Sequence, residues 1–414
     1  MTRVPMYSRA EGIRVVAVLA AALTVLCGCV RPGEPTPQRL DLSTLDIGSN
    51  SVDPLPPPRT GTDKYGRVLE SMRMAEAVLD PVEVDPALTK GVVHRTAPLP
   101  TPRKAAGILA ERVRDVLESH NMLAGFAVSG SDVDFGAKAP EIGAGRLLTV
   151  ILLRFPDAMA AQLAARQMNA TDAAISPDNV PVRIAEYPSA FVYWRPAVPT
   201  MAATIAHESF VVSVLAGHTA PDQAVLSGLV RRAFDLQLPR LRDFQPTAPN
   251  QFSRLPLDRE GMLSRLMPYG AGHWPYPTVI ASDFDANAGW SSYLRISGVV
   301  LGPRAARLMK HFEFKESVEL VAMNGHNLLE RFPDAVTARR VFTEEMRADS
   351  ATRIAPPAGV PDVYCNGMNQ QPQWPAQVRC RVLYGRYSAT LVGRHPTDAH
   401  QRISAQYAML VRSE

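Results

Sequence analysis

The feature of this sequence that most limits its possible folds is an internal repeat. The run Arg154-Phe155-Pro156-Asp157-Ala158 recurs as Arg331-Phe332-Pro333-Asp334-Ala335. A second match follows at nearly the same offset, because the stretch from Phe210 to Asp222 is echoed between Tyr387 and Asp398. Two matches at one offset are typical of a duplicated unit, and a repeat limits the fold before any single motif does. The sequence therefore predicts two related domains of ordinary size.

Both copies of the repeat indicate the same order of structural elements. Leu147 to Leu153 is an apolar run of strand length, and Pro156 with Asp157 suits the first turn of a helix. The second match is typical of another strand, a glycine-containing turn and a closing helix, with extended stretches in between. This order predicts an α+β fold. We expect a tandem duplication of an antiparallel-sheet domain with helices packed on one face.

Length and composition agree with two domains. The chain has 414 residues, of which 46% are hydrophobic and 20% are charged, so it can bury more than one core. Proline, asparagine and glutamine break the pattern near residues 246–251. We therefore expect a first α+β domain at residues 63–248 and a second, related domain at residues 252–414. A continuous helix is predicted over Pro102 to Ser119 in the first of them.

Residues 1–28 are typical of a secretory signal peptide. Three arginines precede the apolar run from Val15 to Leu26, which is too short to span a bilayer permanently. The run ends in Leu26-Cys27-Gly28-Cys29, which resembles the lipobox of bacterial lipoproteins. The resemblance implies that the Cys29 thiol, a good nucleophile, accepts a diacylglycerol and becomes the first residue after cleavage. An ordinary signal peptide with an incidental cysteine is the alternative.

Such an anchor would fix the location of the protein. Two or more acyl chains, such as palmitate, hold a protein to a membrane far more firmly than one. Residues 29–62 are rich in proline, which predicts a semi-extended tether between anchor and domains. The predicted location is the extracytoplasmic face of the cell membrane, with the membrane as a partner through the lipid.

Cysteine usage predicts one disulfide. Cleavage would remove Cys27 and lipidation would occupy Cys29, which leaves Cys365 and Cys380 as an even pair in an oxidising compartment. A disulfide closing a loop of this size contributes about 3 kcal/mol in the chain-entropy model. A redox or metal role is less favoured, because the sequence has no Cys-x-x-Cys motif.

Several short motifs together resemble a family of functionally uncharacterised, two-domain cell-envelope lipoproteins of actinobacteria, of mycobacterial or nocardial type. The matching segments are Leu45-Asp46-Ile47-Gly48, Arg73-Met74-Ala75-Glu76, Pro81 with Glu83 and Asp85-Pro86, Arg154 to Ala158, and Leu301-Gly302-Pro303-Arg304-Ala305. The resemblance implies a cellular location and a two-domain architecture. It supplies no catalytic residues.

Charge and motifs exclude several classes of protein. The formal net charge is only +4 and the basic residues are scattered among acidic ones, so no nucleic-acid partner is expected. His207-Glu208 lacks the second histidine of a zinc protease, and Gly143-Ala144-Gly145 lacks the third glycine of a dinucleotide-binding loop. The sequence also has no serine-hydrolase elbow and no phosphate-binding loop. No catalytic residue and no cofactor are predicted.

Two patterns suggest metal binding but are better explained otherwise. Asp283-Phe284-Asp285-Ala286-Asn287 copies the start of a calcium loop, yet Ala288 and Leu294 replace the glycine and the bidentate glutamate, so a solvated turn is favoured. His218 and His395 take equivalent places before the closing helices, where capping the helix is favoured over a shared metal. The repeated Asp157 and Asp334 are likewise predicted to be helix caps. No metal site is predicted.

Two segments are candidates for ligand contact. Aromatic residues concentrate between Tyr269 and Tyr276, with Trp290 and Tyr293 nearby, and could line a pocket or stack on a sugar, although core packing is the commoner role. The candidate ligand-binding residues are His273, Trp274, Tyr276 and Trp290. The amide-rich loop from Asn366 to Trp374 could recognise a polar ligand, although a solvated hairpin tip is the default.

Taken together, the sequence favours a membrane-anchored lipoprotein that binds or senses a ligand without being an enzyme. The ligand would be a small molecule, a lipid or a glycan, and the cleft between the domains would be its first expected location. One alternative is an envelope hydrolase whose catalytic residues form no recognisable motif. The other is a scaffold for envelope proteins, which predicts a broad exposed apolar patch.

Overall fold

The structure, a computed structural model, describes residues 41–92, 95–135, 140–268, 270, 272–282, 293–309, 317–368 and 377–413. The predicted signal peptide and Cys29 lie outside these residues. Contacts divide the chain into two units, Met1–Thr44 and Leu45–Glu414. In the first unit, Leu42–Thr44 forms a short 3-10 helix. A search of the described helices for one long and apolar enough to cross a membrane finds none.

The first half of the larger unit contains a seven-stranded antiparallel sheet in the order β1-β2-β3-β7-β6-β5-β4. Its strands are β1 (Thr96–Pro98), β2 (Ala124–Ser131), β3 (Leu147–Arg154), β4 (Val180–Val182), β5 (Phe191–Trp194), β6 (Thr200–His207) and β7 (Phe210–Gly217). Its helices are α1 (Asp63–Met74), α2 (Pro81–Val84), α3 (Pro102–Ala106), α4 (Arg114–Ser119), α5 (Ala158–Ala173) and α6 (Gln223–Asp243).

The second half contains an eight-stranded antiparallel sheet in the order β12-β13-β14-β15-β11-β10-β9-β8. Its strands are β8 (Thr278–Ser282), β9 (Tyr293–Leu301), β10 (Leu320–Asn324), β11 (Asn327–Arg331), β12 (Arg353–Ile354), β13 (Val363–Gly367), β14 (Val378–Tyr384) and β15 (Tyr387–Gly393). Its helices are α7 (Pro303–Leu308), α8 (Ala335–Ala348) and α9 (Pro396–Arg412).

The two sheets have the same topology, which confirms the predicted duplication. Read from the other end, the second sheet runs β9-β10-β11-β15-β14-β13-β12, which matches β1-β2-β3-β7-β6-β5-β4 strand for strand, with β8 added at the edge. The central pairs also agree in register, since Arg154 lies opposite Phe210 and Arg331 lies opposite Tyr387. Each position in one half therefore has an identifiable counterpart in the other.

The repeated sequence motif ends a central strand and begins a helix in both halves. Asp157 and Asp334 each accept a hydrogen bond from the backbone N–H three residues later, at 2.8 and 2.7 Å, so both act as the predicted N-caps. The phenylalanines of the two motifs, Phe155 and Phe332, are fully buried. The motif is structural because it fixes the turn between a core strand and its helix.

Of the two histidines expected to cap helices, one does so. His395 is the N-cap of α9, and its Nδ1 accepts a hydrogen bond from the N–H of Asp398 at 3.2 Å. The prediction is wrong for His218, whose Nδ1 accepts from Ala220 within a turn while Asp222 caps α6. A carboxylate is the better acceptor at a helix N-terminus, because it carries a full negative charge.

The α+β class and the antiparallel sheets are as predicted, but the helices cover both faces of the first sheet instead of one. All eight residues of β3 are buried. Val150 and Leu152 belong to a core that contains α1 and α6, whereas Ile151 and Leu153 belong to a core that contains α5. A strand that is apolar along its whole length needs cover on both sides, and the run from Leu147 to Leu153 is such a strand.

The second sheet is also covered on both faces. Arg381 of β14 pairs with Glu345 of α8, and the Tyr384 ring packs edge-on against Tyr407 of α9 with centroids 5.6 Å apart. Residues three apart in a strand point to opposite faces, so α8 and α9 lie on opposite sides. The expected one-sided packing therefore does not hold here either.

The two halves share one continuous hydrophobic core. Buried residues of α1, of both sheets, of α7 and of α8 form a single cluster. At its margin the carboxylate of Glu76 accepts the N–H groups of Arg304 and Ala305, at 3.2 and 3.0 Å, and so caps α7. The Arg304 guanidinium donates to the carbonyl of Val78 at 2.8 Å and to Glu83 at 2.7 Å. Two segments singled out in the sequence, residues 73–76 and 301–305, thus bind each other.

The predicted tether at residues 29–62 is shorter than expected, because the chain joins the compact unit from Leu45 onwards. Leu45 is buried, Asp46 accepts from the Gln401 side chain at 3.1 Å, and Asp53 pairs with Arg412 at 2.7 Å. Prolines remove backbone donors without preventing side-chain contacts, so a Pro-rich segment can lie against a helix.

The helix predicted over residues 102–119 is also interrupted. It forms α3, a 3-10 turn at Glu111–Val113, and α4. Gly107 is the C-cap of α3, as expected for a residue that weakens a helix interior.

A buried glutamine in the closing helix makes the same contacts in both halves. Gln237 of α6 accepts from the N–H of Leu79 at 2.8 Å and donates to the carbonyl of Ala77 at 2.9 Å. Gln406 of α9 accepts from Met267 and donates to Arg265, both at 2.7 Å. Both glutamines are completely buried. Each closing helix thus holds the segment that precedes its sheet, residues 77–79 and 265–267, through one buried amide.

Replacing either glutamine should destabilise the fold. In Gln406→Leu two buried backbone groups lose their partners, and each such group costs about 1–3 kcal/mol. We expect urea denaturation to give a free energy of unfolding lower by about 2–5 kcal/mol, and a similar loss for Gln237→Leu. The exposed Gln162 of α5 supplies the control, since Gln162→Leu should change stability by no more than about 0.5 kcal/mol. Equal midpoints for all three variants and the unmodified chain would refute the role assigned to these side chains.

Candidate functional site

The two halves differ most clearly in a group of charged side chains between β11, β14 and α8. Arg381 bonds to the Glu330 carboxylate at 2.8 Å and also pairs with Glu345. Glu330 is completely buried, and the side chains of Arg381 and Glu345 are only 11% and 15% exposed. We call these three residues, with Ser388 and Thr390, the charged layer.

Strand register brings the charged layer together. Glu330 lies directly opposite Ser388, and Arg381 lies directly opposite Thr390. Residues paired in this way place their side chains on the same face of a sheet. The Arg381 guanidinium also donates to the Thr390 hydroxyl at 2.8 Å. The layer is therefore a continuous polar surface on the centre of the sheet, covered by α8.

The first half has apolar side chains at three of the five equivalent positions and uncharged hydroxyl residues, Thr204 and Ser213, at the other two. From the matching registers and helix caps, the counterparts of Glu330, Ser388 and Glu345 are Leu153, Val211 and Met168, and all three lie in the core beneath α5. The counterpart of Arg381 is Thr204. Three of these positions of the fold are thus charged in the second half and uncharged in the first.

This comparison decides whether the fold requires the charges. A buried ion pair seldom stabilises a protein more than apolar residues of similar size, because both ions lose their hydration. The first half has the same topology with Leu153 and Met168 in place of the carboxylates. The charged layer is therefore not a requirement of the architecture. Its presence in one half only makes it the candidate site of the second half.

Two carboxylates at equivalent positions, Asp172 and Asp349, have pKa values shifted in opposite directions. Burial raises the pKa of Asp172 in the first half, and the hydrogen bond from the Tyr193 hydroxyl partly offsets this. Burial acts in the same direction on Asp349 in the second half, but the N–H of Ala351 and the charge of Arg379 outweigh it and lower the pKa. Asp349 therefore keeps its charge further into the acid range.

The polar rim includes three further groups. The Arg353 guanidinium lies over the Tyr364 ring, 5.0 Å from its centroid, and burial raises the pKa of Tyr364 to about 12. Asn366, at the end of β13, is almost completely buried opposite Arg379. Asn366 was predicted as part of an amide-rich loop, of which residues 369–374 lie outside the described part of the chain. A cation, an aromatic hydroxyl and an amide thus border the charged layer.

The predicted disulfide between Cys365 and Cys380 is confirmed. The two cysteines are direct cross-strand partners in β13 and β14, and both are completely buried. They alternate with Tyr364 and Arg381 along their strands, so the disulfide lies on the α9 side of the sheet. It links the two strands that carry Arg381 and Asn366 on their other face.

One of the aromatic candidates, Tyr276, contacts the first half. The Tyr276 ring stacks on Tyr65 at the start of α1, with centroids 4.8 Å apart and an angle of 16° between the rings. Trp274 is half-buried and His273 is exposed. Trp290 lies outside the described residues, as does most of the calcium-like segment, at 283–292. Ligand binding by the aromatic group therefore stays a prediction.

The junction between the halves is packed where the structure describes it. Side chains of α1 and the residues after it, including Met74, Val78 and Leu79, are completely buried between the sheets. The ligand-binding cleft expected at this junction is therefore not formed by the described residues. Away from this junction, a small cavity of about 30 Å³ between residues 50–55 and the second half, lined by Asn50 and Met267 among others, has room for about two water molecules.

The charged layer was missed at the level of sequence, although a signal for it was present. Single glutamates and an arginine in predicted strands and helices are normally taken as solvent-facing. When the two copies of the repeat are aligned, however, Glu330 takes the position of Leu153 and Glu345 takes the position of Met168. A charged residue that is aligned with a core residue of the other copy indicates either that this position has become exposed or that a polar group is buried there. The exposed fraction of the side chain in the structure distinguishes the two.

These features define a class: an α+β protein of two duplicated sheet domains joined by one core. Residues 57–257 match the family model described as "Domain of unknown function (DUF7373) N-terminal", and residues 285–413 match the model described as "Domain of unknown function (DUF7373) C-terminal". The two matches together span most of the chain, so the chain belongs to this two-domain family.

Comparisons with individual proteins add little. Among solved structures, the chain is similar to the extracellular domain of PknH from Mycobacterium tuberculosis, with 11% sequence identity and a TM-score of 0.26. That match covers 40% of this chain and 93% of the other. No curated protein matches the chain.

Proposed function

We propose that the protein is an extracytoplasmic lipoprotein of the actinobacterial cell envelope that binds or senses a polar ligand without catalysing a reaction. In this proposal residues 1–28 are the signal peptide and Cys29 carries the lipid. Residues 63–248 are a structural first domain, and residues 252–414 are a second domain that carries the ligand site. The observation that carries the binding role is the charged layer, which occurs in only one of two copies of the same architecture.

The location rests on two independent features of the chain. The segment Leu26 to Cys29 resembles a lipobox and follows a typical signal peptide. The disulfide between Cys365 and Cys380 suits an oxidising compartment, where such bonds form and persist. Both features agree with display on the outer face of the membrane.

The chemistry of the second half favours a polar ligand over an apolar one. A ligand that enters beneath α8 and replaces the contacts among Glu330, Glu345 and Arg381 gains charged hydrogen-bond partners, and the rim adds Arg379 and Asn366. Such groups bind hydroxyls, ammonium groups or carboxylates with geometric specificity. A glycan or a small charged molecule therefore fits this half better than an acyl chain does.

The rival function, an envelope hydrolase, is less well supported by the same residues. Hydrolysis by a pair of carboxyl groups needs one of them protonated as the general acid, which requires a raised pKa. Here one arginine, Arg381, contacts both Glu330 and Glu345. Both carboxylates are thus held by one ion-pair partner, an arrangement that suits fixed recognition of a ligand better than proton transfer.

The lipid anchor can be tested by removing the thiol. We expect Cys29→Ser to abolish incorporation of a labelled fatty acid and to move the protein from the membrane fraction to the soluble fraction, because in this proposal the acyl chains on this residue attach the protein to the membrane. Cys27→Ser is the control, since this residue would be lost on cleavage. Unchanged labelling and fractionation of Cys29→Ser would contradict the proposed location.

The ligand site can be tested by giving the second half the residues of the first. We expect the triple variant Glu330→Leu, Glu345→Met, Arg381→Thr to remain folded, with a free energy of unfolding equal to the unmodified chain or higher by about 1–4 kcal/mol. Mass spectrometry of the full chain purified from an exporting host should detect a specific polar compound, and the triple variant should lose it.

The control changes an equivalent pair on the outer face of α8. Arg340→Thr with Glu344→Met removes an ion pair whose side chains are 58% and 51% exposed, and it should leave the bound compound in place. Recovery of the compound with the triple variant, or an empty unmodified protein, would count against ligand binding by the charged layer.

A further inference from the structure

We propose that Cys365, Cys380 and His400 form a redox-controlled site for a thiophilic metal ion such as Zn²⁺. In the oxidised chain the two sulfurs are joined and the site is closed. Reduction by a dithiol opens it, and the two thiolates and the imidazole then hold one ion. This site is separate from the charged layer, because it lies on the opposite face of the second sheet.

Three potential ligands converge at this place. The sulfurs of Cys365 and Cys380 and a ring nitrogen of His400 all lie within 4.8 Å of one another. Two thiolates and an imidazole are the donor set that Zn²⁺ prefers, at about 2.3 Å from sulfur and about 2.0 Å from nitrogen. Separation of the two sulfurs after reduction would leave each within a small side-chain rotation of such distances.

The histidine has no evident structural duty. Its Nε2 is buried and has no hydrogen-bond partner among the described residues. Buried polar atoms normally have a partner, and each exception needs an explanation. His395, in contrast, caps the same helix five residues earlier. The position of His400 beside the sulfurs is therefore the feature to be explained, and a metal ligand explains it.

The first half again provides a comparison. The counterparts of Cys365 and Cys380, read from the matching strand registers, are Val192 and Ala203. Counting from the two helix N-caps, Asp222 and His395, the counterpart of His400 is Ser227, whose hydroxyl bonds to Met201. All three potential ligands are thus specific to the second half, and they occur together.

The same comparison indicates that the second half can fold without its disulfide. The first half has the same strand order with Val192 and Ala203 in place of the cysteines. A disulfide of this loop length contributes about 3 kcal/mol, a part of the stability and not a condition of the fold in a chain with a large shared core. The reduced form is therefore expected to keep its architecture.

Atoms and electrons balance in two steps. A dithiol reductant gives two electrons and two protons to the bond between the sulfurs, and the reductant itself becomes a disulfide. Each cysteine then loses its proton when it binds the cation, and the neutral imidazole donates a lone pair. A water molecule completes four-coordination. Both sulfurs are completely buried, so reduction requires local opening and will be slow.

The test uses the full chain incubated for several hours with excess dithiothreitol, and the same chain left oxidised. After removal of reductant under nitrogen, each sample is titrated with Zn²⁺, and bound metal is counted by native mass spectrometry. We expect one tightly held ion per reduced chain and none in the oxidised chain. Circular dichroism should show that both samples are folded.

Variants distinguish a built site from adventitious thiol binding. Cys365→Ser with Cys380→Ser sets the baseline, which includes any contribution of cysteines near the N-terminus. His400→Ala should weaken binding at least tenfold, as loss of one of three protein ligands would, whereas His395→Ala should not. The proposal is overturned if the reduced chain binds no more zinc than the double cysteine variant, if the two histidine variants bind equally, or if reduction unfolds the protein.

Discussion

The carboxylate of Glu76 joins the two halves of this protein, and the arrangement of the rest depends on that contact. It caps α7 of the second half from the end of α1 of the first, and its oxygen lies so close to Gly302 that a side chain there would collide with it. A single core continues through this contact. Residues 45–414 therefore form two sequence domains within one compact unit.

The duplication makes each half a control for the other. Shared features, such as the capped motifs at Asp157 and Asp334 and the buried Gln237 and Gln406, belong to the architecture. Unshared features need a different explanation. The charged layer and the three potential metal ligands fall in this second group, and both lie in the second half. In the proposal made above, ligand binding therefore belongs to the second half.

The sequence predicted what depends on local chemistry. The repeat, both aspartate caps and the disulfide followed from residue types at fixed spacings, because each acts over a few residues or one hairpin. The charged layer did not, since Glu330, Glu345 and Arg381 meet only after three elements pack together. The helix cover on both faces was underestimated for the same reason. Periodicity identifies an apolar strand but does not identify the helices that cover its second face.

Hydrogen exchange measured with increasing denaturant tests most directly whether the halves form one body. Backbone N–H groups of β3 and β15 should exchange with the same free energy of opening, and Glu76→Ala should lower both values together, because both sheets depend on one core. Two separate opening energies, with Glu76→Ala affecting the region of α7 alone, would contradict this account and would show that the domains are independent.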